Sequence, residues 1–184
     1  ISSKGGMIKG IQLKDYKTWD GRPVMLLTGD SSQFNLTLST GNRIIQTKEL
    51  YFQSSGKTGN TKTVSMRLAA GDDKYIEYVY TLQEDSYLFD FKIHVVGMQD
   101  VIASNASYLD LEWKDNVTQK EISLENERAA ATIYYRFDQD DVDYLSETSD
   151  EKENLKTRVK WIAFKQHFFT VALIADENFD SPVV

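Results

Sequence analysis

Apolar residues recur at every second position along much of this chain, and that period belongs to β-strands with one buried face. In "QFNLTLS", Phe34, Leu36 and Leu38 share a face while Asn35 and Thr37 point away. In "TVSMRL", Val64, Met66 and Leu68 repeat the pattern. "YLFDFKIHVV" puts Tyr87, Phe89, Phe91, Ile93 and Val95 on one side, with Asp90, Lys92 and His94 on the other. "KYIEYVYTL" is β-rich on both faces. Further strands are predicted over Ile44–Phe52, Asn105–Trp113 and Arg128–Phe137.

The punctuation between these runs is turn chemistry. "STGN", "SSGKTGN", "AAGDD" and "QEDS" carry Gly, Asn, Asp or Ser where tight turns need them. Short strands at this spacing predict an all-β chain, an antiparallel extended β-sandwich with one or two short helices. Helical candidates are Thr118–Ala129 and Asp140–Glu147; "ETSDEKENLKT" reads as an exposed loop. With 184 residues, no repeat and no linker, the expectation is one domain over 1–184, cut at both ends from a longer protein.

Composition then removes whole classes of function. A net charge of -7 repels phosphate backbones, which argues against nucleic acid as a partner. The absence of cysteine removes disulfides, thiolate nucleophiles and sulfur metal ligands together. No apolar run approaches the roughly 18 residues of a membrane span. No cofactor is expected.

Four local motifs suggest chemistry and fail on spacing. Gly56-Lys57-Thr58 resembles the tail of a phosphate loop, but Tyr51 stands where the earlier glycine belongs. "DQDDVD", Asp138 to Asp143, has calcium-loop carboxylates, but Val142 fills a ligand position and Asp143 replaces the glycine. His94 and His167 lie in no motif with a nearby partner. "ELYFQS", Glu49 to Ser54, resembles an engineered protease site but sits within a strand pattern and reads as native. Three Asn-x-Ser/Thr spellings, at Asn35, Asn105 and Asn116, read as ordinary strand and turn residues.

The stretch "WIAFKQHFF", Trp161 to Phe169, packs four large aromatics into nine residues. Trp161, Ala163 and Lys165 face one way; Ile162, Phe164 and Gln166 face the other. With "FFTVALIA" following, this predicts two strands joined by a tight bend. Phe164, Phe169, Val171 and Leu173 are expected to fill the core, each contributing ~1.5–3 kcal/mol on burial. Lys165, Gln166 and His167 are expected exposed beside aromatics, a mixed patch suited to a partner.

"KWIAFKQHFFTVALIAD" also resembles the end-of-domain signature of the YidC-type membrane protein insertases, through Trp161, Ala163, Gln166, Phe168, Phe169 and Ala172. The opening "SSKGGMIKGIQLKDYKTWDGRPVML" is similar to the family's start, with its Gly5-Gly6 pair and Leu13. "LENERAAATIYYRF" followed by "VDYLSE" resembles the family's middle. The resemblance implies a periplasmic domain at the bacterial inner membrane, with a supersandwich fold of galactose-mutarotase type. It implies a non-catalytic docking or scaffold role that assists insertion and folding of inner-membrane proteins. The implied partners are nascent membrane proteins and the Sec translocon with its accessory subunits. Membrane association would come through transmembrane helices absent from this chain. Trp161, Phe164, Lys165, Gln166, His167, Phe168 and Phe169 are the candidate contact residues. In the family, more strands and an interfacial helix follow the matched segment, so an open sheet edge is expected here. The alternative is a carbohydrate-binding or mutarotase-like module, with Trp19, Tyr108 and Trp113 as its stacking platform.

Overall fold

Strand β7 (Lys74–Leu82) shows why the alternation matters: Ile76, Tyr78 and Tyr80 are buried, while Tyr75, Glu77 and Val79 between them are half-buried. The computed structural model describes residues 1–29, 32–54, 62–103, 108–139 and 141–184. These residues group into two compact units, 1–9 with 29–114, and 10–28 with 115–184. Gly56-Lys57-Thr58, Asn105 and Asp140 lie outside the described residues.

In the first unit, β7 pairs antiparallel with β6 (Thr63–Gly71) and β8 (Phe89–Val96), and β5 (Gln53–Ser54) flanks β6. A second sheet has β3 (Gln33–Ser39) between β4 (Ile44–Gln46) and β9 (Asp110–Lys114). The two sheets share one core: Leu36 and Leu38 from β3 meet Met66, Ile76, Tyr78 and Tyr80. Phe34 of β3 packs edge-on against Phe91 of β8 with centroids 5.4 Å apart, so the contact crosses from sheet to sheet. This is a β-sandwich, as the alternation predicts.

The predicted strand over Ile44–Phe52 is interrupted. Residues Thr47–Glu49 form a 3-10 turn, because Thr47 and Asn35 supply hydrogen bonds that a ladder would otherwise make. The buried Thr47 hydroxyl accepts from the Leu36 N–H at 2.9 Å and from the Tyr78 hydroxyl at 3.2 Å. Asn35 Oδ1 accepts the Lys48 N–H at 3.1 Å, which is why Asn35 is buried although it points away from Leu36. Phe52 of "ELYFQS" is also buried, stacked on Tyr78 at 4.7 Å, as native core sequence would be. The Gly5-Gly6 pair has a steric reason: Gly6 sits at φ +68°, and a Cβ there would lie 2.8 Å from the Phe52 ring.

In the second unit, β1 (Gly10–Lys17) and β2 (Pro23–Thr28) form a two-stranded ribbon. A four-stranded antiparallel sheet runs in the order β11 (Val142–Tyr144), β10 (Thr132–Phe137), β12 (Val159–Lys165), β13 (Thr170–Phe179). Helix α1 (Leu124–Ala129) starts at Ser123, whose hydroxyl accepts the Asn126 N–H at 3.2 Å. The core is Tyr135, Leu145, Leu155 and Val159, with Ile133, Phe137 and Ile162 packed against it.

Three sequence expectations need correction here. The helix expected over Asp140–Glu147 is not formed by its described residues, 141–147: Val142–Tyr144 pairs with β10, and Tyr144 stacks on Tyr134 at 4.9 Å. The strand expected over Arg128–Phe137 begins at Thr132, because Arg128 and Ala129 close α1. The strand expected over Asn105–Trp113 is, among described residues, Asp110–Lys114.

Candidate functional site at the bend after β12

The chain leaves β12 at Lys165 and re-enters the sheet at Thr170, with Lys165 and Thr170 paired. The Gln166 N–H donates to Phe169 O at 2.7 Å and closes the bend. The predicted pair of strands joined by a tight bend is therefore present. What lies beneath it was not foreseen.

Three polar side chains are buried together: Lys120, Glu127 and Gln166 are 3%, 4% and 6% exposed. Gln166 links the other two. Its Oε1 accepts from Lys120 Nζ at 2.6 Å, and its Nε2 donates to Glu127 Oε1 at 3.0 Å and to Thr118 O at 3.2 Å. An amide can accept from an ammonium and donate to a carboxylate at once; neither a carboxylate nor an ammonium can do both. The Glu127 carboxylate also accepts the Lys120 N–H at 3.0 and 2.9 Å and the Glu121 N–H at 3.2 Å. Lys120 Nζ donates further to Thr118 O at 2.9 Å. Every member has partners, as a buried polar network requires.

Burial pushes the Lys120 ammonium below its ordinary pKa of 10.5, against the opposing pull of Glu127 and Asp115. Between the depressed value and 10.5 the unfolded chain holds more protons than the folded one, so stability rises with pH there. Urea melts over that alkaline window should show wild type gaining stability relative to Lys120→Met as pH rises. A flat or falling difference would show that burial does not weaken proton binding at Lys120.

The candidate contact residues separate by exposure. Gln166 is buried and Lys165 half-buried, contrary to the expected exposed patch. Hydrogen bonding explains both: Lys165 Nζ donates to Ala130 O at 3.1 Å and pairs with Glu147 at 3.6 Å. Trp161 and Phe164 are half-buried on β12. Phe169 is half-buried with Tyr16 edge-on against it at 5.7 Å. Phe164, Phe169, Val171 and Leu173 are thus half-buried and do not fill the core, which Tyr135, Leu145, Leu155 and Val159 form. His167 and Phe168 are the exposed members, with rings stacked at 4.3 Å.

Both histidines have the acidic neighbours that the sequence did not reveal. His167 Nδ1 lies 3.0 Å from Glu121 Oε2, and His94 Nδ1 lies 3.7 Å from Glu77 Oε2. They belong to different units. So do the platform candidates: Trp19 is in the second unit, Tyr108 and Trp113 in the first. Trp19 and Tyr108 are exposed, and Trp113 is half-buried on β9 opposite Phe34. The first unit has a cleft of about 310 Å³ walled by Lys4, Lys9, Phe34, Lys48 and Glu49, and neither Trp113 nor Tyr108 lines it. Among the described residues, no group of three His, Asp or Glu is placed to hold a metal, and no helix is long and apolar enough to cross a membrane.

These features define a mainly β domain whose most constructed element is a polar-anchored bend rather than a lined pocket. The chain belongs to the YidC periplasmic domain family, which matches residues 1–183. It is 35% identical over 184 residues to the membrane protein insertase YidC of Bacteroides fragilis, covering 100% of this chain and 29% of that protein. It is 36% identical over 182 residues to the YidC insertase of Parabacteroides distasonis, covering 98% of this chain and 29% of that protein. The YidC insertase of Porphyromonas gingivalis is 35% identical over 183 residues, again 98% of this chain and 29% of that protein. The chain therefore spans under a third of the length of these relatives. No solved structure matches it significantly.

Proposed function

We propose that this chain is the non-catalytic periplasmic docking domain of a membrane protein insertase, held at the inner membrane by parts of the protein outside it. It assists insertion and folding of inner-membrane proteins, alone or with the Sec translocon. The family match over nearly the whole chain carries this reading. The described surface supports it in one particular. Strand β13 is ten residues long and, among the described residues, is paired on one side alone, so its other edge offers a ladder of N–H and C=O groups to a partner strand. Ile174, midway along it, is exposed.

The test is a photoreactive residue in place of Ile174 in the full-length insertase, irradiated in native membranes. Adducts with Sec accessory subunits or nascent membrane proteins are expected. Absence of protein adducts at Ile174, in membranes where the insertase is active, overturns docking through this edge.

A further inference from the structure

Around the buried Lys120–Glu127–Gln166 network, the second unit exposes a set of apolar side chains drawn from three separate segments. Trp19, Ile122 and Phe168 are 56%, 77% and 70% exposed, and Tyr16 and Leu124 are exposed as well. Backbone and side-chain contacts tie their segments to one place. The Trp19 N–H donates to Lys120 O at 3.1 Å, at the end of the ribbon of β1 and β2. Two residues beyond Lys120 is Ile122, and Leu124 opens α1. His167, on which Phe168 stacks, lies 3.0 Å from Glu121.

The charges of this unit are unevenly distributed. At the aromatic end most carboxylates have cationic partners: Asp20 has Arg22 at 2.6 Å, Glu147 has Lys165 at 3.6 Å, and Glu127 and Asp115 act on Lys120, while Glu121 lies beside the His167 ring. Glu125 remains there alongside Lys17 and Arg128. At the opposite end of the four-stranded sheet, where Phe137, Val159 and Phe179 are aligned, five carboxylates gather among the described residues. These are Asp138, Asp141, Asp176, Glu177 and Asp180, against Arg136, Arg158 and Lys160, with Arg158 paired to Asp180 at 3.2 Å. One end is therefore apolar and nearly neutral, and the other is acidic.

We propose that the aromatic end is a bilayer-contact surface, which sets Trp19, Ile122 and Phe168 into the lipid–water interface of the membrane beside which this family works. Trp and Tyr, each with an apolar body and one polar group, favour that layer, and Trp19 and Tyr16 supply them; Ile122 and Phe168 add apolar area. The charge pattern selects the orientation: an anionic bilayer repels the acidic end and leaves the neutral end to approach. The buried network supplies rigidity, because Gln166 fixes the bend carrying Phe168 and Lys120 fixes the segment that holds Trp19. The contact is shallow and orienting, since three side chains cannot anchor a domain alone. It is separate from the docking edge and does not depend on which protein the domain meets.

The experiment uses this 184-residue chain in a Trp113→Phe, Trp161→Phe background, so that Trp19 is the sole tryptophan. Vesicles of phosphatidylethanolamine and phosphatidylglycerol carry lipids brominated along their acyl chains. The expected result is quenching of Trp19 on vesicle addition, strengthened by added salt, which screens repulsion from the chain's net charge of -7. In the original background, Trp19→Ala with Phe168→Ala should lower vesicle partitioning at least ~10-fold, as loss of two inserted aromatics implies, with circular dichroism unchanged. Three outcomes overturn the proposal: no quenching, equal partitioning of the double variant, or binding abolished by salt. Self-association in sedimentation velocity that the double variant loses, without vesicle binding, would assign the patch to a second copy of the chain and equally overturn it.

Discussion

Glu127→Leu should destabilise the second unit by about 3–5 kcal/mol, the range expected when one partner of a buried charged network is removed. The substitution deletes the acceptor for three donors at once: the Lys120 and Glu121 backbone N–H groups and Gln166 Nε2. Each buried donor left without a partner costs roughly 1–3 kcal/mol, and Lys120 also loses its nearest compensating charge. Leucine fills similar volume, so the lesion is polar rather than a cavity. Glu127→Gln keeps one acceptor oxygen and should fall between the wild type and Glu127→Leu. Urea denaturation followed by circular dichroism measures the difference. A loss under about 1 kcal/mol would mean that water replaces the carboxylate and that the network does not hold the bend.

That network also marks the limit of what the sequence discloses. Period-2 alternation located β3, β6 and β8: Leu36, Leu38 and Met66 enter the core, and Phe91 and Ile93 of β8 pack against it half-buried, so the burial is written into the residue types. It located the bend after β12 too, since Lys165, Gln166 and His167 break an otherwise apolar run. It misread the bend's interior. Lys120, Glu127 and Gln166 are residue types found mostly on surfaces, and their burial is tolerable because Thr118 and the Lys120 N–H supply local partners while Gln166 supplies the rest from 39 and 46 residues away. No local pattern encodes such a partner. The one trace was indirect: Gln166 shares a strand phase with the apolar Ile162 and Phe164, both half-buried.

The boundary errors have the same origin. Ile44–Phe52 is β-prone throughout, yet Thr47 bonds back to Leu36 and ends the strand. Asp140–Glu147 has acidic, helix-compatible content, yet the open side of β10 and the Tyr134 ring take Val142–Tyr144 as a strand. Tertiary hydrogen bonding overrode local propensity in both cases. Trp19 shows the same limit: its N–H donates to Lys120 O, a partner far along the chain that no local pattern around Trp19 encodes.

Gly97→Ala should cost the first unit about 2–5 kcal/mol, from two terms that can be separated. Gly97 follows β8 at φ +63°, where an L-residue with a Cβ costs roughly 1–2 kcal/mol. The added Cβ would also lie 2.4 Å from Asp73 O, a backbone atom in the turn between β6 and β7. A flexible side chain could swing aside, but this carbonyl cannot move without disturbing the Gly71–Lys74 pair that closes the hairpin. Overpacking of that kind typically adds about 1–3 kcal/mol. The residue next in line, Met98, is buried in the core, so displacing the backbone at Gly97 also withdraws a core side chain. Gly41→Ala is the matched control: its φ is not in the left-handed region and nothing lies within 4 Å of its Cβ position. Thermal unfolding of the two variants side by side should show a large loss for Gly97→Ala and nearly none for Gly41→Ala. Equal losses would place the cost in the glycine-to-alanine change itself and not in the approach of β8 to the hairpin.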